Sequence, residues 1–264
     1  SVNAYNNLMD WGMQVLVGTV TTTPCVAVSA ETNKDRVFEI TPSASSTAVI
    51  EGKDNVFQIC FTDPNQGIAS ADYLAENKPG EKIAIIYKND DAYSQGIRDT
   101  FVKEAGEKKM DVVYEGTFTE DTQTDFSVQL TAAQAAGATV VFLPMYYTPA
   151  SVIFKQAKDM NYAPLFFGVD GMDGILDMDG FDTSLAEGVM LLTPFSADSE
   201  ENGAPEFVKK YQEKYGEAPS QFAADGYDAV RAVTEVFMKA GLTIDLPTDQ
   251  ICDGMIKQIP QVSF

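Results

Sequence analysis

Short apolar runs rich in valine and isoleucine recur along this chain, and segments with helical spacing separate them. A run of this kind between turn signals is typical of a strand that is buried on both faces of a parallel sheet. We therefore predict strands at residues 15–18, 37–40, 83–87, 112–114, 140–143, 165–168 and 189–192.

The segments between these runs carry helix start and stop signals. Asp63, Pro64 and Gln66 stand in the order of a capping carboxylate, a first-turn proline and a third-position glutamine, which predicts a helix through about Leu74. The alternation of strands and helices predicts a doubly wound α/β architecture with mostly parallel sheets. Further helices are predicted from Thr148, over 93–105, 125–136 and 205–215, and over 220–240, where Phe222, Tyr227, Val230, Val233 and Phe237 follow helical spacing before Gly241.

Charge and hydropathy exclude several classes of partner. The chain has 39 acidic and 18 basic residues, a formal charge of −21, whereas nucleic-acid binding needs clustered lysine and arginine. We therefore expect no nucleic-acid partner. No stretch approaches the roughly 20 apolar residues of a membrane span, and the first residues lack the basic and apolar regions of a signal peptide.

The residue inventory also argues against an enzyme. The chain has no histidine, which excludes serine-protease-type triads and histidine zinc sites. Three cysteines, Cys25, Cys60 and Cys252, are widely spaced and suggest neither a disulfide framework nor a metal site. The glycines of residues 168–174 lack the dinucleotide-binding spacing, and the acidic run 173–182 has an isoleucine where a calcium loop needs an oxygen ligand. We predict no cofactor and no metal.

Ligands of parallel α/β sheets bind beyond the carboxyl ends of the strands, where loops and helix starts converge. In this chain those loops carry hydroxyls, aromatic rings and one carboxylate, at residues 18–24, 41–47, 88–93, 144–147 and 168–174. Each loop alone is compatible with an ordinary threonine helix cap or a structural tyrosine. Together they hold the groups that a zwitterionic α-amino acid needs: helix-start amides and hydroxyls for its carboxylate, and a carboxylate for its ammonium.

At the same loops the sequence resembles the periplasmic leucine/isoleucine/valine-binding protein family, the type I solute-binding proteins of branched-chain amino-acid ABC transporters. Similar stretches occur in order along nearly the whole chain, at residues 15–23, 40–45, 56–60, 63–67, 83–87, 92–96, 125–127 and 168–171. The resemblance implies a two-lobed α/β fold in which each lobe is a mostly parallel sheet flanked by helices.

The resemblance also implies roles for individual residues. Residues of lobe 1 would hold the ligand's carboxylate and ammonium, and residues of lobe 2 would close over it. Asp170 stands where relatives with aliphatic ligands carry the longer glutamate, so the ammonium would shift or a water would bridge. The candidates are Thr21, Thr22 and Thr23 for the carboxylate, the Ser43 carbonyl, Ser45 and Asp170 for the ammonium, Tyr93 and Tyr146 over the ligand, and Phe222 in the side-chain pocket.

The resemblance implies lobe 1 at residues 1–62 and 195–264 and lobe 2 at 63–194. Relatives begin with βα units upstream of residue 1 and continue after residue 264, so we expect a chain truncated at both ends with an incomplete lobe 1. The implied function is capture of an amino acid, branched-chain or related, by hinge closure, followed by docking on permease subunits. The implied location is extracytoplasmic, periplasmic or as a cell-surface lipoprotein, with the signal segment outside this chain.

Two other functions remain open from the sequence. The same clamshell could be the ligand-sensing domain of a receptor or regulator. An enzyme with nucleotide or carboxylate chemistry could use the same scaffold, because a fold does not determine a function. No paired acid and base or nucleotide motif supports that second alternative.

Overall fold

The computed structural model describes residues 1–201 and 203–262. It divides into two compact units, one formed by Ser1–Phe61 with Phe195–Phe264 and the other by Thr62–Pro194. The strands of the described residues are β1 Val15–Val17, β2 Phe38–Thr41, β3 Val56–Gln58, β4 Lys82–Lys88, β5 Asp111–Phe118, β6 Val140–Leu143, β7 Leu165–Gly168 and β8 Met190–Leu191. The helices are α1 Val2–Trp11, α2 Thr22–Asp35, α3 Asp63–Asn77, α4 Ala92–Glu107, α5 Ser127–Ala135, α6 Tyr147–Asp159, α7 Ala204–Tyr215, α8 Gln221–Lys239 and α9 Thr248–Gln258.

The first unit, unit 1, contains a sheet of the order β1-β2-β3 in its described residues. All its strand pairs are parallel, with Val17 opposite Ile40 and Thr41 opposite Gln58. Residues alternate between the two faces of a strand, and β2 shows this directly. Phe38 and Ile40 pack on α8 and α9, through Val236 and other apolar side chains.

The opposite face of β2 carries polar residues that point toward α2. Glu39 is fully buried there and accepts hydrogen bonds from the Cys25 thiol (3.4 Å) and the Thr32 hydroxyl (2.5 Å) of α2. Burial raises the pKa of Glu39 above its ordinary value, whereas these two hydrogen bonds oppose the rise. One face of β2 is therefore apolar core, and the other is a hydrogen-bonded contact with α2.

The second unit, unit 2, contains the sheet β5-β4-β6-β7-β8, again with parallel pairs throughout its described strands. The interior strand β4 contributes side chains to the hydrophobic core on each face of this sheet. Ile83 and Ile85 pack with side chains of α3 and α4 on one face, and Ala84 and Ile86 pack with side chains of α5 and α6 on the other. This double burial is why the run at 83–87 is continuously apolar.

Burial on both faces does not hold for every predicted strand. The edge strand β5 pairs only with β4, is partly exposed, and extends to Phe118, beyond the predicted 112–114. The edge strand β1 is also only partly buried, and β8 shrinks to two residues. The predicted runs correspond to the apolar part of each strand, whereas the bounds of a strand are set by its backbone hydrogen bonds.

Several helices differ from their predicted form. The helix after residue 62 starts at Asp63 itself with Thr62 as its N-cap, so the capping role predicted for Asp63 is wrong. In α8 the buried apolar residues are Ala229, Ala232 and Val236, whereas Tyr227 and Val230 are about half exposed. The structure also contains α1 and α9 and the strand β3, for which no element was predicted.

Among the described residues, no helix combines the length and the apolar character needed to cross a bilayer. Cys25, Cys60 and Cys252 are buried, and none of them is in a disulfide among the described residues. No cluster of three or more acidic, cysteine or histidine side chains within the described ranges is arranged to hold a metal ion.

Candidate functional site

The candidate carboxylate-binding residues lie at the N-terminus of α2. Thr21 is the N-cap, and its carbonyl accepts a hydrogen bond from the Cys25 amide at 3.1 Å. Its side chain makes no capping bond among the described residues, and Pro24 at the third helical position has no N–H. The amides of Thr22 and Thr23 therefore stand at a helix start that favours a negative group.

Burial distinguishes the three threonines from one another. Thr21 and Thr23 are exposed, whereas Thr22 is fully buried. The Thr22 hydroxyl has no hydrogen-bond partner in the described part of the chain. Because a buried hydroxyl without a partner costs free energy, Thr22 is the strongest candidate of the three for contact with a ligand.

The second group of candidates is the loop after β2. Ser43 and Ser45 are both buried, and the Ser45 side chain is completely inaccessible. Within the described ranges the Ser45 hydroxyl also has no hydrogen-bond partner. Like Thr22 in the neighbouring loop, Ser45 is thus a buried residue whose hydroxyl has no partner in the described chain.

The sheet brings these two loops to the same edge of unit 1. β1 and β2 are parallel neighbours, so both loops leave from adjacent carboxyl ends. The Gly18 amide donates to the Ile40 carbonyl at 3.0 Å and extends the pairing into the first loop. The prediction that strand-end loops of unit 1 converge therefore has a direct structural basis.

Phe222 is the second residue of α8 and is partly buried. The helix begins at the Ser220 cap, whose hydroxyl accepts a hydrogen bond from the Ala223 amide at 3.4 Å. The buried residues of α8 face Phe38 and Ile40, which lie on the face of β2 opposite to Thr41. The role of Phe222 in a side-chain pocket stays a prediction.

In unit 2 the structure brings Tyr93 and Asp170 together. Both side chains are almost completely buried, and the Tyr93 hydroxyl donates to Asp170 Oδ1 at 2.5 Å. The Gly171 amide donates to the same carboxylate oxygen at 2.8 Å and to the Tyr93 hydroxyl at 2.9 Å. Tyr93 is the second residue of α4 and Asp170 follows β7, so a helix start and a strand end position the pair.

Tyr146 stacks on Tyr93, with ring centroids 4.7 Å apart and planes 18° from parallel. It precedes α6 and is half-buried. Gly171 permits this packing, since a Cβ there would lie 2.6 Å from the Tyr93 hydroxyl and 2.9 Å from a Tyr146 ring carbon. The three candidates of unit 2 therefore form one cluster, in which Tyr93 and Asp170 are hydrogen-bonded and the Tyr146 ring stacks on Tyr93.

Burial controls the ionisation of this cluster. It raises the pKa of Asp170 above its ordinary value, while hydrogen bonds from Tyr93, Gln66 and the Gly171 amide oppose that rise. Burial and the neighbouring Asp170 charge raise the pKa of Tyr93 well above its usual value. The tyrosine therefore keeps its proton and remains the donor.

The sequence did not indicate three residues that support these sites. Gln66 of α3 is fully buried and accepts a hydrogen bond from the Asp170 amide at 3.3 Å, in place of the predicted capping role. Thr41 and Gln58, at the ends of β2 and β3, bond to the Ser45 loop. For Thr41 and Gln58, the position at a strand end was the only signal in the sequence, because their hydrogen-bond partners are distant in sequence or are backbone atoms.

A profile of the family described as periplasmic binding protein matches residues 1–257, nearly the whole chain. The chain belongs to the periplasmic binding protein family. The predicted resemblance and the prediction of an α/β fold of the type I binding-protein class are confirmed. Because this family and its relatives are solute-binding proteins, the prediction that the chain is not an enzyme is also confirmed.

Individual relatives agree with the family. The chain is 26% identical over 245 residues to the Leu/Ile/Val-binding protein homolog 3 of Brucella melitensis, covering 92% of this chain and 65% of that protein. The matched part of the chain thus spans less than two thirds of this relative's length. Its structure is similar to a leucine-binding protein LivK from Thermotoga maritima, with a TM-score of 0.86 and 25% identity, over 96% of this chain and 71% of the other.

A second similar structure contains a bound amino acid. It is the branched-chain amino-acid transporter substrate-binding protein LivJ from Streptococcus pneumoniae in complex with isoleucine. The TM-score is 0.80 and the identity 26%, over 95% of this chain and 70% of that one. This periplasmic binding protein therefore has the fold of relatives that bind branched-chain amino acids.

Proposed function

We propose that this periplasmic binding protein is the solute receptor of an ABC importer and that it captures an α-amino acid, branched-chain or related. Two of the buried hydroxyls that have no partner in the described chain, those of Thr22 and Ser45, carry this proposal. A native protein rarely leaves such groups unsatisfied, unless a ligand or water completes them. They lie on neighbouring strand-end loops, where α/β sheets bind small molecules.

The chemistry of unit 1 suits the α-carboxylate and the α-ammonium. The α2 amides and the Thr22 hydroxyl are donors, and the helix start favours a negative group. The Ser43 carbonyl and the Ser45 hydroxyl can accept from an ammonium. A zwitterion satisfies both sets at once.

Unit 2 supports the proposal with a buried carboxylate and two aromatic rings. Asp170 would pair with the ammonium, and the Tyr93–Tyr146 stack would cover the ligand. We propose that the units correspond to the two lobes, residues 1–62 with 195–264 and residues 63–194, and that hinge closure engages both sets of groups. Closure requires that the ligand binds the closed state more tightly.

Family membership supports an extracytoplasmic location, periplasmic or as a cell-surface lipoprotein. The closed, liganded protein would dock on the permease subunits of the importer. Relatives described as transporter substrate-binding proteins support this partner.

The test is a thermal-shift screen of the twenty amino acids on the full-length protein. A ligand at 100 times its dissociation constant stabilises a protein by about 2.7 kcal/mol, which is easily measured. We expect leucine, isoleucine or valine to be among those that raise the melting temperature. A screen in which none of the twenty does so would contradict the amino-acid proposal.

A further inference from the structure

The two loops that carry Thr22 and Ser45 are connected through one side chain, that of Thr41. This residue ends β2 and is completely buried. Its hydroxyl donates to the Thr19 carbonyl of the first loop at 2.5 Å and accepts from the Ala44 amide of the second loop at 3.0 Å. A weaker contact from the Ser43 amide, at 3.4 Å, reaches the same oxygen.

The bonding capacity of the Thr41 hydroxyl is fully used by these contacts. A hydroxyl has one hydrogen to donate and two lone pairs to accept. The hydrogen goes to the first loop and both lone pairs face amides of the second. Thr41 therefore acts on a ligand only through the loops it joins.

Gln58 holds the second loop from the opposite side of Ser45. Its Nε2 donates to the Ala44 carbonyl at 2.6 Å and to the Ser46 carbonyl at 2.9 Å. Both partners are acceptors, so the nitrogen must face them, and both of its hydrogens are used. The carbonyl groups of the two residues that flank Ser45 are thus held by one side chain from β3.

These bonds hold the backbone on both sides of Ser45 in place. Thr41 and Gln58 bond to the Ser43 amide, to both backbone groups of Ala44 and to the Ser46 carbonyl. The Ser45 hydroxyl between these groups stays buried without a partner in the described residues. An unsatisfied group held in place costs free energy until a ligand completes it.

We propose that Thr41 and Gln58 are positioning residues that set the Thr22 loop and the Ser45 loop for ligand binding, an inference that rests on the function proposed above. Thr41 determines the spacing between the two loops, and Gln58 determines the orientation of Ser45. Neither residue contacts the ligand.

The variants Thr41→Val and Gln58→Glu test this proposal, since each keeps the size of the side chain and removes the donors. Thr41→Ser, which retains the hydroxyl, is the rescue variant. Thr32→Val is the matched control, because it removes a buried hydroxyl bond to Glu39 in the same unit without touching either loop. The four variants are compared with wild type as full-length proteins.

Two measurements separate the positioning role from ligand binding itself. Amide hydrogen exchange without ligand should show faster exchange at residues 43–46 in Thr41→Val and Gln58→Glu, and no change there in Thr32→Val or Thr41→Ser. Calorimetry with L-leucine, L-isoleucine and L-valine should give dissociation constants raised more than about tenfold in the first two variants and less than about threefold in the others.

The outcomes are distinguishable. If wild type binds the probes but Thr41→Val and Gln58→Glu bind as tightly, the positioning proposal is wrong while the proposed function stands. If wild type binds no probe, the proposed function fails, and exchange alone decides: faster exchange confined to residues 43–46 supports the positioning role, and unchanged exchange overturns it.

Discussion

The two units carry candidate binding groups in opposite states of satisfaction. In unit 1 the buried hydroxyls of Thr22 and Ser45 have no partner in the described chain. In unit 2 the hydroxyl of Tyr93 and the carboxylate of Asp170 are bonded to each other and to the Gly171 amide. Both sets lie at carboxyl ends of parallel strands, so the fold alone does not explain the difference.

The difference suggests two ways of preparing a site. Unit 1 holds groups whose desolvation is already complete, so a ligand adds hydrogen bonds without breaking any. Unit 2 holds a carboxylate that is kept in place by a tyrosine, so an ammonium must share or replace an existing bond. Substitution of Thr22 or Ser45 should therefore change affinity without lowering stability, whereas substitution of Tyr93 should change both.

The largest effect is expected from Asp170→Ala. It would leave the ligand's ammonium unpaired in a dry site, which costs about 3 kcal/mol, or roughly a hundredfold in affinity. Calorimetry with L-leucine on the full-length protein measures this loss. Tyr147→Ala is the control, since Tyr147 is a partly exposed neighbour of the cluster. Equal affinities of these two variants would contradict the role of Asp170.

Tyr93→Phe should lower both stability and affinity. It removes the hydroxyl that donates to Asp170 and accepts from Gly171, at an expected cost of about 1–3 kcal/mol in the free energy of unfolding. Chemical denaturation measures that cost, and calorimetry the affinity.

Tyr162→Phe is the matched control for this prediction. Its hydroxyl donates to the Ala138 carbonyl at 2.8 Å within unit 2, away from the cluster. We expect a similar loss of stability with unchanged affinity. If both variants reduce affinity equally, the effect of Tyr93→Phe reflects general destabilisation of unit 2.

Ser45→Ala should show the opposite pattern. It removes a buried hydroxyl that has no partner among the described residues, so the stability without ligand should stay equal or rise by up to about 1 kcal/mol. Affinity should fall about tenfold, because one hydrogen bond to the ligand is lost. Ser29→Ala is the control, since the Ser29 hydroxyl donates to the Val26 carbonyl and its loss should lower stability alone. A loss of stability in Ser45→Ala would remove the contrast between the units.

The smallest effect is expected from pH. Burial raises the pKa of Asp170 above its unfolded value, so the folded protein binds this proton more tightly. Stability without ligand therefore decreases as pH rises through that raised pKa. Affinity for an ammonium increases over the same range, because the ligand needs the carboxylate.

Calorimetry at decreasing pH should show affinity falling at a pH above about 3.9, the ordinary pKa of an aspartate. Asp170→Asn should remove this dependence. Asp173 raises the pKa of Asp170 further, and Tyr93 stays protonated. Neither residue would therefore make the affinity rise as the pH falls. Glu39 in unit 1 also has a raised pKa, and it remains in the Asn variant as an internal reference. A pH profile identical in wild type and Asp170→Asn would contradict the assignment.

The sequence predicted best where one interaction dominates. The runs at 140–143 and 165–168 match β6 and β7 residue for residue, because central strands need apolar side chains on both faces. The sequence predicted edge strands and helices with a weak apolar pattern less accurately. In α9, Gly254 and neighbouring acidic residues obscure the helix, yet Gly254 allows Leu242 to pack where a Cβ would lie 2.7 Å away.

The residues of the candidate site also fall into those that the sequence indicated and those that only the structure revealed. The alternation of elements predicted the strand-end loops as the place of the site, since parallel sheets gather their loops at one edge. The family resemblance then selected Thr22, Ser45, Tyr93 and Asp170 within those loops. The roles of Thr41, Gln58 and Gln66 depend on hydrogen bonds between segments, most of them to backbone atoms. Every residue has a backbone carbonyl, so a hydrogen bond to one requires no particular residue type at that position. No sequence pattern therefore reveals such a bond.

The sequence by itself determined the α/β class, the parallel sheets and the polar loops, because periodicity and turn chemistry are local properties of the chain. Only the tertiary structure decided which hydroxyls are buried without a partner in the described chain and which are bonded. That distinction depends on where every neighbouring donor and acceptor lies after folding. It separates Thr22 from Thr23 and Ser45 from Thr41, residues that look equivalent in the sequence.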